Sequence, residues 1–157
     1  MPKSTDDLIN DIKQAKAHRD AEQLKKNDEV AFALQKERAE LIWATDDWDK
    51  ARNLLDIVVD DVNRKLADAN MELVFAQTDE TPGSGNLKHW LMHFTNTSQG
   101  LRERVQVQIV PSISGTLNAV FQVENDHAFE ERKFQTSKFT SEQADLIINR
   151  MLERATS

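Results

Sequence analysis

The sequence contains no cysteine, and only four glycines and three prolines among its 157 residues. Without cysteine there are no disulfides, thiolate metal sites or cysteine nucleophiles to consider. That absence assigns no compartment, because cytosolic and exported chains alike can lack the residue. Scarce glycine leaves few positions for the tight backbone turns that cradle ligands. No apolar run approaches the roughly 20 residues of a membrane-spanning helix. No apolar h-region follows Met1-Pro2-Lys3-Ser4-Thr5-Asp6-Asp7, so the expectation is a cytoplasmic chain with no signal peptide and no membrane partner. Positive charge is also in short supply, with 27 acidic against 20 basic residues and a net charge of −7. The acidic excess is shared by the stretches before and after Asn70, so neither half is a polycation and nucleic acid is not an expected partner.

What the sequence does have is a change of hydrophobic period near Asn70. Apolar residues recur every three or four positions from Asp46 to Ala69, and every two from Met71 to about Gln135. The first spacing lays one stripe of a helix on a core, and the second buries one face of a sheet. The predicted architecture is α+β: N-terminal helices, then a four- to five-stranded antiparallel meander covered on one face by helices, with a C-terminal helix.

Thr5 is a candidate N-cap for a first helical segment reaching about Asn27, with Asp6 and Asp7 in its first turn. Its stripe of Leu8, Ile12 and Ala15 is interrupted by Arg19 and Glu22, and Leu24 stands alone. Such a helix buries too little to be stable by itself. Residues 1–27 are therefore expected to form a helical arm that either frays or is covered by a partner, and 28–157 a single α+β domain. A second segment, Glu29 to Trp43, regains an apolar face through Val30, Leu34, Leu41 and Trp43; a true break near Asn27 and a mere weakening within one long helix both fit this pattern. Thr45 is expected to cap a third, whose stripe is Trp48, Ala51, Leu55, Val58, Val62, Leu66 and Ala69. Asn70 suits the left-handed stop.

Strand signals follow at Glu72–Gln77, Lys88–Thr95, Arg104–Val110, Leu117–Val123 and Ala128–Gln135. The first is apolar on both faces and is expected to lie centrally, whereas the charged last one suits an edge. Turn residues separate them: Pro82-Gly83-Ser84-Gly85, Asn96 to Gly100, Pro111 to Gly115, and Asn125-Asp126-His127. Gln106, Gln108 and Gln122 mark a wet face. Thr140 and Gln143 match a capping box for the last helix, whose apolar side is Ala144, Ile147, Ile148 and Met151, and Phe139 is placed to staple it.

Candidate chemistry is sparse. Glu37 and Glu40 stand at i,i+3, and Asp56 and Asp60 at i,i+4; on facing helices the four carboxylates could hold Mg²⁺ or Mn²⁺. That arrangement is loosely similar to the helical nucleoside-triphosphate pyrophosphatases, and the resemblance implies a metal-dependent phosphohydrolase. It covers only Glu37 to Asp60, its Asp spacing is four where that family has three, and a sheet is foreign to that four-helix fold. Solvated helix faces, with partners such as Arg64 nearby, are the favoured reading. His89 and His93 share one strand face about 13 Å apart at strand rise, too far for one metal. With Gln108 they could instead line a sheet face that grips a peptide or small ligand. Arg102, Arg104, Arg132, Lys133 and Lys138 are interleaved with Glu103, Glu130 and Glu131, which offset their field. Trp43 and Trp48 are expected in the core, with an exposed interface anchor as the alternative.

No nucleophile, cofactor or catalytic set emerges, so the reading leans against an enzyme. The favoured function is a soluble protein-interaction or adaptor-type domain that forms a homo-oligomer, or binds another protein, through Leu8, Ile12, Ala15 and Leu24.

Overall fold

Neither glycine nor proline occurs between Lys3 and Asn70, and nothing else in that stretch stops a helix from propagating. In the computed structural model one helix, α1, runs over Thr5–Leu66: the weakening near Asn27 does not interrupt it, and the separate start expected at Thr45 is absent. The structure describes residues 2–96, 101–123 and 129–156, with only the backbone for 101–104 and 156. The turns expected at Asn96–Gly100 and Asn125–His127 fall wholly or mostly outside the described residues. Two cap assignments change. Ser4, not Thr5, caps α1, its Oγ accepting from the Asp7 N–H at 3.2 Å. Thr45 caps nothing: its hydroxyl donates to the Leu41 carbonyl at 2.8 Å, the back-bonding open to a threonine inside a helix. After one 3₁₀ turn, Asn70 stops the helix at φ 57, ψ 38, and its N–H donates to the Ala67 carbonyl. Asn tolerates this left-handed conformation better than most residues with a Cβ.

The chain divides into two compact units, Met1–Ala39 and Glu40–Ser157. The first is the beginning of α1. The second holds the rest of α1, five strands and the C-terminal helix α2 (Ser141–Thr156). Its strands are β1 (Met71–Gln77), β2 (Trp90–Asn96), β3 (Leu101–Pro111), β4 (Thr116–Val123) and β5 (Phe129–Gln135), paired antiparallel in chain order. This is the expected meander.

Alternation decides which side chains face inward. Leu73, Met92, Phe94, Val107, Ile109, Leu117 and Phe121 are buried on the inner face. They pack against Trp48, Ala51, Leu55 and Val59 of α1 and Ala144, Ile147, Ile148 and Met151 of α2. Val59 is buried more deeply than Val58, which packs at the margin. Trp90 sits between Phe75 and Trp48, with ring centroids 5.0 and 6.0 Å away, and Arg52 lies 5.4 Å over its ring. Thr140 and Gln143 form the predicted capping box, each accepting from the other's backbone N–H at 3.2 and 3.1 Å.

β1 is not central. Although apolar on both faces, it forms one edge of the sheet. An edge leaves backbone groups without a ladder partner, and at Leu73 the side chain of Asn63 on α1 takes both. The Leu73 N–H donates to Asn63 Oδ1 at 2.7 Å, and Asn63 Nδ2 donates to the Leu73 carbonyl at 2.9 Å. At the other edge Glu130 of β5 accepts from Arg150 at 2.8 Å, with Arg154 at 3.6 Å and Arg132 at 3.8 Å.

These edges generate two expectations. Asn63→Ala leaves the two Leu73 groups without their partner and should cost about 1–3 kcal/mol in urea unfolding; an unchanged midpoint would contradict the role assigned to Asn63. The hydrogen bond from Arg150 holds the Glu130 carboxyl below its usual 4.5, against the opposing effect of partial burial. A lowered folded-state pKa adds stability that is complete above the unfolded value and lost as pH falls through the folded one. Below about pH 4.5 the wild type should therefore lose stability more steeply than Glu130→Gln, and parallel pH profiles would contradict this.

Candidate functional site

In the Met1–Ala39 unit the helical residues are exposed, apart from a half-buried Ala39. Leu8, Ile12, Ala15 and Leu24 all face solvent, as do Ile9, Val30, Phe32 and Leu34. Ile12 is 66% exposed and Phe32 70%. Polar contacts among the described residues of the unit are short-range, such as Lys3–Asp11 at 2.7 Å, His18–Glu22 at 3.1 Å and Gln23–Asn27 at 3.0 Å. Exposed ion pairs contribute about 0–1 kcal/mol each. Propensity and such pairs sustain the helix locally, but its large apolar side chains have no cover within the unit.

In the second unit both helices pack on the inner face of the sheet, so the outer face is open. The register sets Val74, His93, Gln106, Gln122 and Phe129 in one row across the strands, and Ala76, Leu91, Gln108, Val120 and Glu131 in the next. The three residues singled out on this face come together in part. Gln108 Nε2 lies 3.1 Å from His89 Nδ1, while His93 is in the neighbouring row opposite Gln106. Gln106 donates to Gln122 at 2.9 Å. The amides of Gln106 and Gln122 pair with each other and Gln108 pairs with His89 Nδ1, while His89 Nε2 is shielded from water with no hydrogen-bond partner among the described residues.

The four carboxylates considered as metal ligands all lie on α1. Glu40 and Asp56 are sixteen positions apart, about 24 Å at helical rise, so one chain does not bring them together. Among the described residues no group of three or more His, Asp or Glu side chains is arranged to hold a metal ion. Asp56 is half-buried, and its carboxyl is raised above its usual 3.8 by desolvation, against Arg52, with Asp60 adding to the rise.

The two tryptophans near the middle of α1 separate. Trp48 is core at 5% exposure, and Trp43 is 65% exposed. Trp43 borders a cleft of about 910 Å³ lined by Glu40, Asp47, Ser84, Ser112, Ser114 and Asn118 among others. The cleft's far wall forms because the β1–β2 connection docks on the end of β3. The Leu87 N–H donates to the Pro111 carbonyl and the Ile113 N–H to the Gly85 carbonyl, both at 2.8 Å. Gly85 and Gly115 take φ of 80 and 94 there, conformations that glycine adopts without steric cost. Ser112 Oγ lies 2.8 Å from Ser114 Oγ and 2.7 Å from Thr116 Oγ1.

Comparison with protein-family models, curated proteins and solved structures finds no match for this chain. The functional reading therefore rests on its own surfaces.

Neither Asn63 nor the cleft was legible in the sequence. Asn63 sits in a charged run with nothing to mark its partner ten residues on. The cleft joins loops brought together only by tertiary pairing. One expectation follows from Asp56. A folded-state pKa raised above the unfolded value costs stability once the carboxyl is ionised and nothing once it is protonated in both states. Asp56→Asn should thus raise the melting temperature at neutral pH, with the gain shrinking as pH falls towards 3.8 and absent below it. A loss at neutral pH would show that the Arg52 interaction outweighs desolvation.

Proposed function

We propose that this chain is a non-enzymatic protein-interaction module that self-associates through the first part of α1. The observation that carries the reading is the set of exposed side chains Leu8, Ile9, Ile12, Leu24, Val30, Phe32 and Leu34 on one helical unit. Covering apolar surface gains roughly 25 cal/mol per Å², and a helix whose apolar groups stay in water forgoes that gain. Charge along the unit supports a second copy as the cover. Acidic residues at 6–11, basic at 13–19, acidic at 20–22, basic at 25–26 and acidic at 28–29 alternate in blocks. Two such helices can be set together with opposite signs facing, as flanking charges do in coiled coils.

The competing readings have less behind them. A ligand site on the outer sheet face has an unpartnered group among the described residues, His89 Nε2, but Gln108 and His89 Nδ1 already bond each other. A metal-dependent hydrolase would need carboxylates from more than one chain to converge.

Replacing Leu8, Ile12 and Leu24 by glutamate in the full chain should lower the solution mass to that of a monomer while leaving the sheet's circular dichroism intact. Removing residues 1–27 should do the same, since every core residue lies beyond Ala39. An unchanged mass in both variants would overturn the proposal.

A further inference from the structure

The cleft beside Trp43 lies within the Glu40–Ser157 unit and has a composition that the self-association reading does not use. Glu40, Trp43 and Asp47 all line it, and their i, i+3, i+7 spacing puts them on one face of α1. Among the described residues neither Glu40 nor Asp47 has an ion-pair or hydrogen-bond partner, and Trp43 has no ring partner. No lysine, arginine or histidine is among the lining residues; the rest are chiefly hydroxyls, amides and glycine. The carboxamide oxygen of Asn118, also of the lining, is shielded from water and accepts no hydrogen bond. The cleft thus has an excess of acceptors, two unpaired negative charges and an uncovered indole.

Each of these selects for positive charge. An indole face attracts an ammonium or guanidinium through its quadrupole, carboxylates accept charge-assisted hydrogen bonds from the same groups, and an anion would be repelled. The spacing narrows the choice further. Seven residues of helix separate Glu40 from Asp47 by about 10 Å, so the two carboxylates cannot share one metal ion, but they can face two charges on an extended molecule. We propose that this cleft binds an elongated organic dication, with one charged nitrogen at Glu40, one at Asp47, and the intervening chain over Trp43. A free polyamine and two neighbouring basic side chains of a peptide both carry this chemistry.

Trp43 also makes the proposal testable, because its exposed indole reports on its surroundings. The full chain is titrated at low salt with spermidine, with an arginine-glycine-arginine tripeptide, with tetramethylammonium and with glucose, following tryptophan fluorescence and calorimetry. Saturable binding of spermidine or the tripeptide is expected, at least tenfold tighter than tetramethylammonium, and the tighter of the two identifies the source. Trp43→Ala and the double variant Glu40→Gln, Asp47→Asn should each weaken it at least tenfold. Asp61→Asn, which removes an acid paired with Lys65 elsewhere on α1, should leave it unchanged. Equal binding by all variants would reduce the effect to general attraction by an acidic protein and overturn the proposal. So would tighter binding of glucose, or no saturable response to either dication. Oligomer mass is read separately, so a failure here leaves the self-association reading standing.

Discussion

The inner face of the sheet has to leave water, and most of what unit Glu40–Ser157 looks like follows from how it does so. Five short strands cannot bury Phe94, Ile109 and Phe121 against each other. Cover comes from Trp48, Ala51, Leu55 and Val59 on one helix and Ala144, Ile147, Ile148 and Met151 on another. Truncating a single large side chain in such a core costs about 2–5 kcal/mol, more than any surface ion pair in the chain supplies. The polar devices then fix how the covering helices sit. Asn63 ties α1 to the edge of β1, the Thr140–Gln143 capping box starts α2, and Glu130 joins β5 to Arg150 of α2.

Much of this fold was legible in the residues. The switch from a 3.6-residue to a 2-residue period at Asn70 marked the passage from helix to sheet, and the capping box marked the start of α2. The meander followed from short connections between alternating segments. What misled was local chemistry that tertiary structure overrode. Thr45 has the side chain of an N-cap, but in a stretch without glycine or proline its hydroxyl bonds back to Leu41 and the helix continues. β1 is apolar enough on both faces to suggest a central strand, yet it is an edge whose exposed backbone at Leu73 is served by a helix side chain. Trp43 and Trp48 looked alike in sequence and ended with opposite exposures.

The candidate surfaces were less legible. Leu8, Ile12, Ala15 and Leu24 could be recognised as an unfinished stripe because period alone exposes such a defect. The pairing of His89 with Gln108 depends on register between β2 and β3, and the cleft depends on loops 84–87 and 111–116 meeting. Neither arrangement has a sequence signal. α1 belongs to both units, and its residues live in two solvent environments: Leu55 is fully buried, while Ile12 and Phe32 stand in water.

That contrast makes the oligomeric state the central question. The most direct measurement is the absolute mass of the full-length wild-type chain by light scattering across a range of concentrations. A mass of two or more chains is the predicted result, falling towards one chain only on dilution. A single-chain mass of 18.0 kDa at every concentration would contradict the account.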